Sequence, residues 1–392
     1  MKVAVLSPTT SQLVEKMAVL FPEGVELIGP QADDRHYWNN CHLRLDSWNA
    51  LGLKVTIKEQ PFEDLDFGAY DLLIESAETF YYAKDWAKHC LRIDCPILLK
   101  ACWTNTPIGL LPSRYIEKVR NFPVLLEMPV HARNWRRSGF RDVNFIPNPV
   151  GEWWFEREWT GEKEQVLFVL SGKDSWRGDS TVCGSDWWDE LCRRFPGKTY
   201  HHDGHVTYRT PVQMAELFTE SRVFVNFDKP FGFGERPLTL AFTEALSAGL
   251  PVVARDLPGL NYRQYIDSNG LCSNDFEQIS SFVERCLTDK SYARDCSVRS
   301  REIGRLAFSY SSLKPKYEVL VARAREAFAD SVQTRKKLFS FPGLSLPLRL
   351  RITVLRFPQF RQMVLEKTYP LRSRLGIRRQ TLHQILRTLR GK

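Results

Sequence analysis

The chain has 392 residues, 43% of them hydrophobic and 26% charged, with a net charge of +9. That length suits two ordinary domains with an appendage, and the composition is globular, which excludes disordered and fibrous classes. No apolar run reaches the roughly 18 to 20 residues of a membrane-spanning helix. The nine cysteines are scattered and form no CxxC pair, which argues against a disulfide scaffold or a zinc site and for small buried hydrophobes.

Met1–Ser7 is too short in its apolar part for a signal peptide and reads as a first strand, so a cytoplasmic location is expected. Further strands are expected at Lys54–Ile57, Tyr70–Ile74, Pro96–Lys100, Val124–Leu126 and Asn144–Ile146. Helical patterns lie between them at Ser11–Leu20, Trp38–Leu51, Thr79–Leu91 and Ser113–Asn121. Apolar strands alternating with helices indicate a parallel, doubly wound sheet. The pattern pauses at Ile146-Pro147-Asn148-Pro149-Val150-Gly151, where two prolines and a glycine suit a linker. It restarts with strands at Gln165–Leu170, Val223–Phe227 and Pro251–Ala254, and with helices at Ser185–Arg194, Pro211–Ser221, Leu240–Ala248 and Asp275–Leu287. A last helix is expected at Ser312–Ala329.

The fold class is therefore α/β. Two Rossmann-like doubly wound domains, residues 1–149 and 150–330, face a cleft, and a basic extension follows at 331–392. Ligands of such sheets bind outside the carboxyl ends of the strands. The extension holds the cationic charge: from Arg335 to Lys392 there are 15 Lys/Arg against one acid, Glu366, leaving the rest of the chain net acidic.

The stretch Phe231-Gly232-Phe233-Gly234-Glu235-Arg236-Pro237-Leu238-Thr239-Leu240 is a glycine-rich loop running into a helix, which stops at Gly249 and feeds the strand at Pro251–Ala254. Free amides at such a helix start attract phosphate, and Glu244, one turn inside, suits the two hydroxyls of a ribose. The same residues also fit a plain helix with a glycine stop and a surface glutamate. Asp64-Leu65-Asp66 is not read as a metal-binding Asp-x-Asp, because no strand precedes it, and no other clustering has metal-ligand spacing.

Glu244-Ala245-Leu246-Ser247-Ala248-Gly249-Leu250-Pro251-Val252-Val253-Ala254 resembles the signature of retaining GT-B glycosyltransferases of family 4. Phe145-Ile146-Pro147-Asn148-Pro149-Val150 resembles that family's interdomain segment, and Gly172-Lys173 with Arg177-Gly178 its phosphate loop. Pro258-Gly259 with Tyr265-Ile266-Asp267-Ser268-Asn269-Gly270-Leu271 resembles its next segment. The order holds from about Pro129 to Lys316. The resemblance implies a donor site of Gly172, Gly234, Arg236, Thr239, Leu240 and Glu244. It makes Lys173, Arg177 and Glu244 the catalytic set, with the two cations stabilising a diphosphate leaving group and no metal or cofactor required. The family's first glutamate is replaced by Arg236, whose guanidinium suits a donor phosphate.

On the acceptor side, Thr10, Glu75, Asn105 and His131 follow strands at the cleft end, although a helix cap suffices for Thr10 and an ordinary loop or structural role for the others. The first loop, Ser7–Gln12, lacks a histidine, which favours retaining over inverting chemistry. Trp153, Trp154 and Trp159 suit an interdomain seam, and Trp176 a sugar face. The expected function is transfer of a sugar from a nucleotide-diphosphate donor to a hydroxyl of a glycan or lipid-linked acceptor. A catalytically silent nucleotide-sugar or glycan-binding scaffold and an inverting GT-B enzyme are the alternatives. Basic and apolar residues alternate over Pro347–Arg356, and Leu375, Leu382, Ile385, Leu386 and Leu389 recur at helical spacing. Residues 335–392 are thus expected to meet an anionic membrane surface, peripherally on its inner face. No specific nucleic-acid partner is expected, since no aromatic RNA-binding signature accompanies the charge.

Overall fold

The computed structural model describes residues 1–6, 11–29, 35–76, 92–101, 113–126, 131–169, 184–203, 209–228, 238–257 and 261–334. The first sheet contains β1 (Val3–Leu6), β2 (Val25–Gly29), β3 (Val55–Glu59), β4 (Leu72–Ser76), β5 (Ile97–Ala101), β6 (Val124–Leu126) and β7 (Val143–Phe145). They lie in the order β3-β2-β1-β4-β5-β6-β7, every pair parallel. The second sheet contains β8 (Lys163–Val169), β9 (Thr199–His202), β10 (Ser221–Asn226), β11 (Val252–Ala254) and β12 (Gly270–Cys272), in the order β12-β11-β10-β8-β9 and again parallel. Strands covered on both faces need unbroken apolar runs. Val3-Ala4-Val5-Leu6 and Val223-Phe224-Val225 supply them and are fully buried.

Three strands escape the sequence reading. In β2 a charged residue, Glu26, breaks a five-residue run. Its carboxylate accepts from Tyr70 Oη at 2.8 Å and pairs with Lys58 at 2.7 Å, so the charge is held at the surface of the sheet. Strands β9 and β12 are edge strands, one of them polar and half-buried, the other three residues long. The helix expected at Thr79–Leu91 lies outside the described residues.

The described helices are α1 (Ser11–Leu20), α2 (Arg35–Ala50), α3 (Ser113–Val119), α4 (His131–Arg137), α5 (Trp153–Glu156), α6 (Ser185–Arg194), α7 (Pro211–Glu220), α8 (Leu240–Ala248), α9 (Phe276–Thr288), α10 (Lys290–Phe308) and α11 (Tyr310–Thr334). Local chemistry sets several of their ends. Thr210 and Gln213 form a reciprocal capping box on α7, with Pro211 at its first position. Asp275 and Asp289 cap α9 and α10. Gly249 ends α8 at φ +79°, a left-handed conformation that favours glycine.

The chain passes between the two sheets twice, and the crossings touch. The linker residue Val150 donates its amide to Phe308 O at 2.9 Å and forms a parallel bridge with Ser309, where α10 gives way to α11. Helix α11 then returns to the first unit and packs on α1, β4 and β5. Arg323 on it reaches Asp142 at 3.1 Å. Lys100, buried at the end of β5, donates to Asn148 Oδ1 at 2.7 Å and ties the linker to the first sheet. Trp153, Trp154 and Trp159 at the linker exit are buried. Trp154 packs edge-on against Phe218, and Trp159 Nε1 donates to Ser221 O at 2.8 Å, so these rings pack on the second unit.

Among the described residues the cysteines are free. Cys41, Cys95, Cys286 and Cys296 are buried, and burial pushes the Cys41 and Cys95 thiols up to about 12. They are apolar filling, as expected. No helix among the described residues is long and apolar enough to cross a membrane.

Candidate functional site

In each sheet the strand order reverses once, between β1 and β4 in the first and between β8 and β10 in the second. Crevices at such switch points, beyond the carboxyl ends of the strands, are where doubly wound sheets take ligands. The segments that leave β8 and β10 there carry Gly172, Lys173, Arg177, Gly234 and Arg236. These five lie outside the described residues, as do Thr10, Asn105 and Trp176. What the structure gives is the frame that holds both segments.

The frame on the β10 side is a polar lock. Asn226, the last residue of β10, donates from Nδ2 to Thr239 Oγ1 at 2.9 Å and accepts the Asp228 amide at 3.0 Å. Thr239 is also the N-cap of α8, accepting from the Phe242 amide. Asp228 Oδ2 accepts from Tyr262 Oη at 2.8 Å, and the Tyr262 ring packs at 4.6 Å on Phe242. The residues flanking segment 229–237 are therefore fixed to one another and to α8. On the β8 side, Gly184 precedes α6 at φ +67°, and a Cβ there would lie 2.1 Å from Phe227 O. The start of α6 thus rests directly on the end of β10.

Leu238, Leu240 and Thr243 face Phe145, Pro147 and Asn148 of the first unit across a narrow opening. Thr239 and Leu240, assigned from sequence to the donor side, are accordingly a cap and a lining residue at the junction of the two units.

Glu244 follows one turn into α8. It is not a surface glutamate: its side chain is 17% exposed, and its Oε1 lies 3.5 Å from Lys16 Nζ of α1. Lys16 is 2% exposed, and its Nζ has no hydrogen-bond acceptor among the described residues. Its second neighbour is Glu15 Oε1, at 3.6 Å. Glu15 is held by Trp48 Nε1, which donates at 3.0 Å, and by Arg44 at 3.8 Å. Burial pushes the Glu244 carboxyl above the usual carboxylate range and Glu15 adds to the rise, while Lys16 and Arg44 oppose it.

Arg255 stands directly after β11 at the same edge of the second sheet. Its guanidinium lies 4.2 Å over the Trp187 ring, and its Nε and Nη1 are buried without an acceptor among the described residues. Glu75 on the acceptor side is fully buried at the end of β4, out of contact with solvent. His131 opens α4 beyond the end of β6. No group of His, Cys, Asp and Glu among the described residues has the makings of a metal site.

Sequence reading missed Lys16, Asn226, Asp228, Tyr262 and Arg255. A signal existed for the first of these. Glu15-Lys16 interrupts Leu13-Val14 and Met17-Ala18 in a helix that is otherwise apolar from Leu13 onward, and a charge placed there needs a partner.

No protein-family model matches the chain, and no curated protein matches it in sequence. Solved structures match its fold. HepE of Anabaena (Alr3699) in complex with UDP aligns at a TM-score of 0.53 and 13% identity, covering 82% of this chain and 100% of that one. A glycosyltransferase from Rickettsia africae aligns at a TM-score of 0.56 and 10% identity, over 82% of this chain and 98% of that one. An α-glucosyltransferase in complex with UDP and a 13-mer DNA aligns at 0.53 and 10%, over 82% and 99%. The two-sheet architecture is the GT-B arrangement.

Proposed function

We propose that this chain is a glycosyltransferase that moves a sugar from a nucleotide-diphosphate donor to a hydroxyl. The observation that carries the reading is Glu244: a carboxylate one turn inside a capped helix, at the carboxyl edge of the second sheet, facing the first unit. That position suits ribose, whose two hydroxyls would donate to the carboxylate. Solved proteins of the same fold hold UDP and UDP-glucose, which supports a nucleotide-sugar partner.

In this reading residues 1–149 take the acceptor and 150–330 the donor. Lys173 and Arg177, with Arg236 in place of the family's first glutamate, surround the diphosphate. When the bond from the anomeric carbon to the diphosphate oxygen breaks, these cations stabilise the developing charge, so no metal or cofactor is called for. The acceptor hydroxyl forms the new bond on the same face, with retention, and its proton leaves with the departing diphosphate.

Residues 331–392 form a basic amphipathic extension that brings the enzyme to the inner face of an anionic membrane, where a lipid-linked or polysaccharide acceptor is met. Of this extension, residues 335–392 lie outside the described residues, and their 15 Lys/Arg against one acid support this part of the reading. The arginine at position 236 favours one alternative, a scaffold that binds the nucleotide sugar without turning it over.

A single assay tests the activity: release of nucleoside diphosphate from a panel of UDP-, GDP-, ADP- and CDP-hexoses, with a chelator present and no acceptor added. Slow release of one diphosphate is expected, and its loss in Glu244→Gln. Binding without release in any condition supports the scaffold, and a strict divalent-ion requirement contradicts the metal-independent chemistry. The anomeric proton of the product, read by NMR, decides between retention and inversion.

A further inference from the structure

Lys16 stands out among the buried ionisable groups. It belongs to the first unit, yet the carboxylate it faces belongs to α8 of the second. Removing an ammonium from water is costly even after relaxation. At 2% exposure, with no hydrogen-bond acceptor among the described residues, Lys16 is offset there by Glu15 and Glu244, at 3.6 and 3.5 Å. Among the described residues, charges face this cluster from three elements: Glu15 and Lys16 from α1, Arg44 from α2 and Glu244 from α8. Glu15 has support of its own, from Trp48 Nε1 and Arg44. Lys16 is the one ion-pair partner of Glu244 among the described residues.

We propose that Lys16 is a positioning residue of the donor site, which holds Glu244 ionised and aimed from the opposite unit. The proposal rests on the donor-site reading of Glu244. A carboxylate accepts a hydrogen bond from each of two ribose hydroxyls, whereas the protonated acid spends one oxygen as a donor. Burial and the neighbouring Glu15 both favour the protonated acid. The ammonium of Lys16 offsets them. Without it two carboxylates share one buried space. Glu15 keeps Arg44 and the indole, so the proton goes to Glu244. Because Lys16 sits on α1, Glu244 has this support only while the two units are together. The first unit thus completes the ribose site of the second.

The test is calorimetric titration of the full chain with UDP, GDP, ADP and CDP at pH 4.5, 5, 6, 7, 8 and 9. The parent, Lys16→Met, Lys16→Arg, Glu15→Gln, Glu244→Gln and the Lys16→Met/Glu244→Gln double variant are compared as ratios to the parent at each pH. Thermal unfolding shows that each variant is folded. Lys16→Met is expected to bind about tenfold more weakly than the parent at pH 6, where the acid without its ammonium keeps its proton, and to recover by pH 9, where it has lost it. Lys16→Arg keeps the parent profile. Glu15→Gln shifts the profile the other way, holding affinity to lower pH, and it serves if Lys16→Met does not fold. The double variant binds no worse than Glu244→Gln alone. A parent that binds none of the four diphosphates overturns the donor-site reading and this role with it. A parent that binds, with Lys16→Met and Glu15→Gln unchanged in affinity and pH profile, overturns the role of Lys16 alone. So does a double variant in which the two losses simply add.

Discussion

Thr239 serves two partners through one oxygen. Its Oγ1 accepts the Phe242 amide as the N-cap of α8 and the Asn226 amide from the end of β10. Removing an N-cap hydroxyl costs about 1 kcal/mol, and here the loss also frees the Asn226 Nδ2 donor. Thr239→Ala is expected to lower stability by about 1 to 2 kcal/mol in urea unfolding, with Thr239→Ser close to the parent. Glu244→Gln, by contrast, is expected to act on binding, weakening the nucleoside diphosphate by about 1 to 3 kcal/mol in calorimetry, the range for a lost hydrogen bond to a charged group. An unchanged dissociation constant contradicts its assignment. Sequence placed Glu244 because its neighbours spell a motif. It was silent on Lys16, which lies 228 positions away in the chain and meets Glu244 only through the packing of two units.

Elements with strong local punctuation were the legible ones. Helices α6 and α8 begin and end where the sequence places them, at Ser185–Arg194 and Leu240–Ala248. Gly184 precedes the first of these, and Thr239 and Gly249 bracket the second. Strands β2, β9 and β12 were illegible for a physical reason: a short or polar strand gains its stability from neighbours in the sheet, and its own residues carry little pattern. Packing between elements is equally hidden. A Cβ on Gly304 of α10 would sit 2.8 Å from the backbone of Ser247 in α8, so the two helices approach closely only because that position is bare. An alanine in a helix interior gains about 0.5 to 1 kcal/mol over glycine, but overpacking costs about 1 to 3 kcal/mol. Gly304→Ala is therefore expected to be destabilised, with a lower urea midpoint. Val298→Ala on the same helix, at a residue 57% exposed, should stay within about 0.5 kcal/mol of the parent.

At the scale of the molecule, the two crossings between sheets meet at Val150 and Ser309, while Lys16 and Glu244 bridge the units elsewhere. The fold class was readable from the alternation of apolar strands and helices. The neighbours in each sheet were not, because strand order depends on contacts between residues far apart in sequence. The basic extension makes its own claim, testable in the full chain. Replacing Arg349, Arg351 and Arg356 with Glu is expected to reduce co-sedimentation with anionic vesicles at low salt, since each basic residue near such a surface contributes about 1 kcal/mol. Nucleotide binding should be unaffected. If the parent chain stays in the supernatant under those conditions, a soluble acceptor is the better reading.

The central claim, a nucleotide-sugar site at the carboxyl edge of the second sheet, meets its most direct test in thermal unfolding of the full chain with graded UDP, GDP, ADP and CDP. A ligand that binds only the folded state raises stability with the logarithm of its concentration over its dissociation constant. One diphosphate is expected to raise the midpoint progressively in the parent and to raise it less at each concentration in Glu244→Gln. A midpoint unmoved by all four, or moved equally in the variant, would contradict the site.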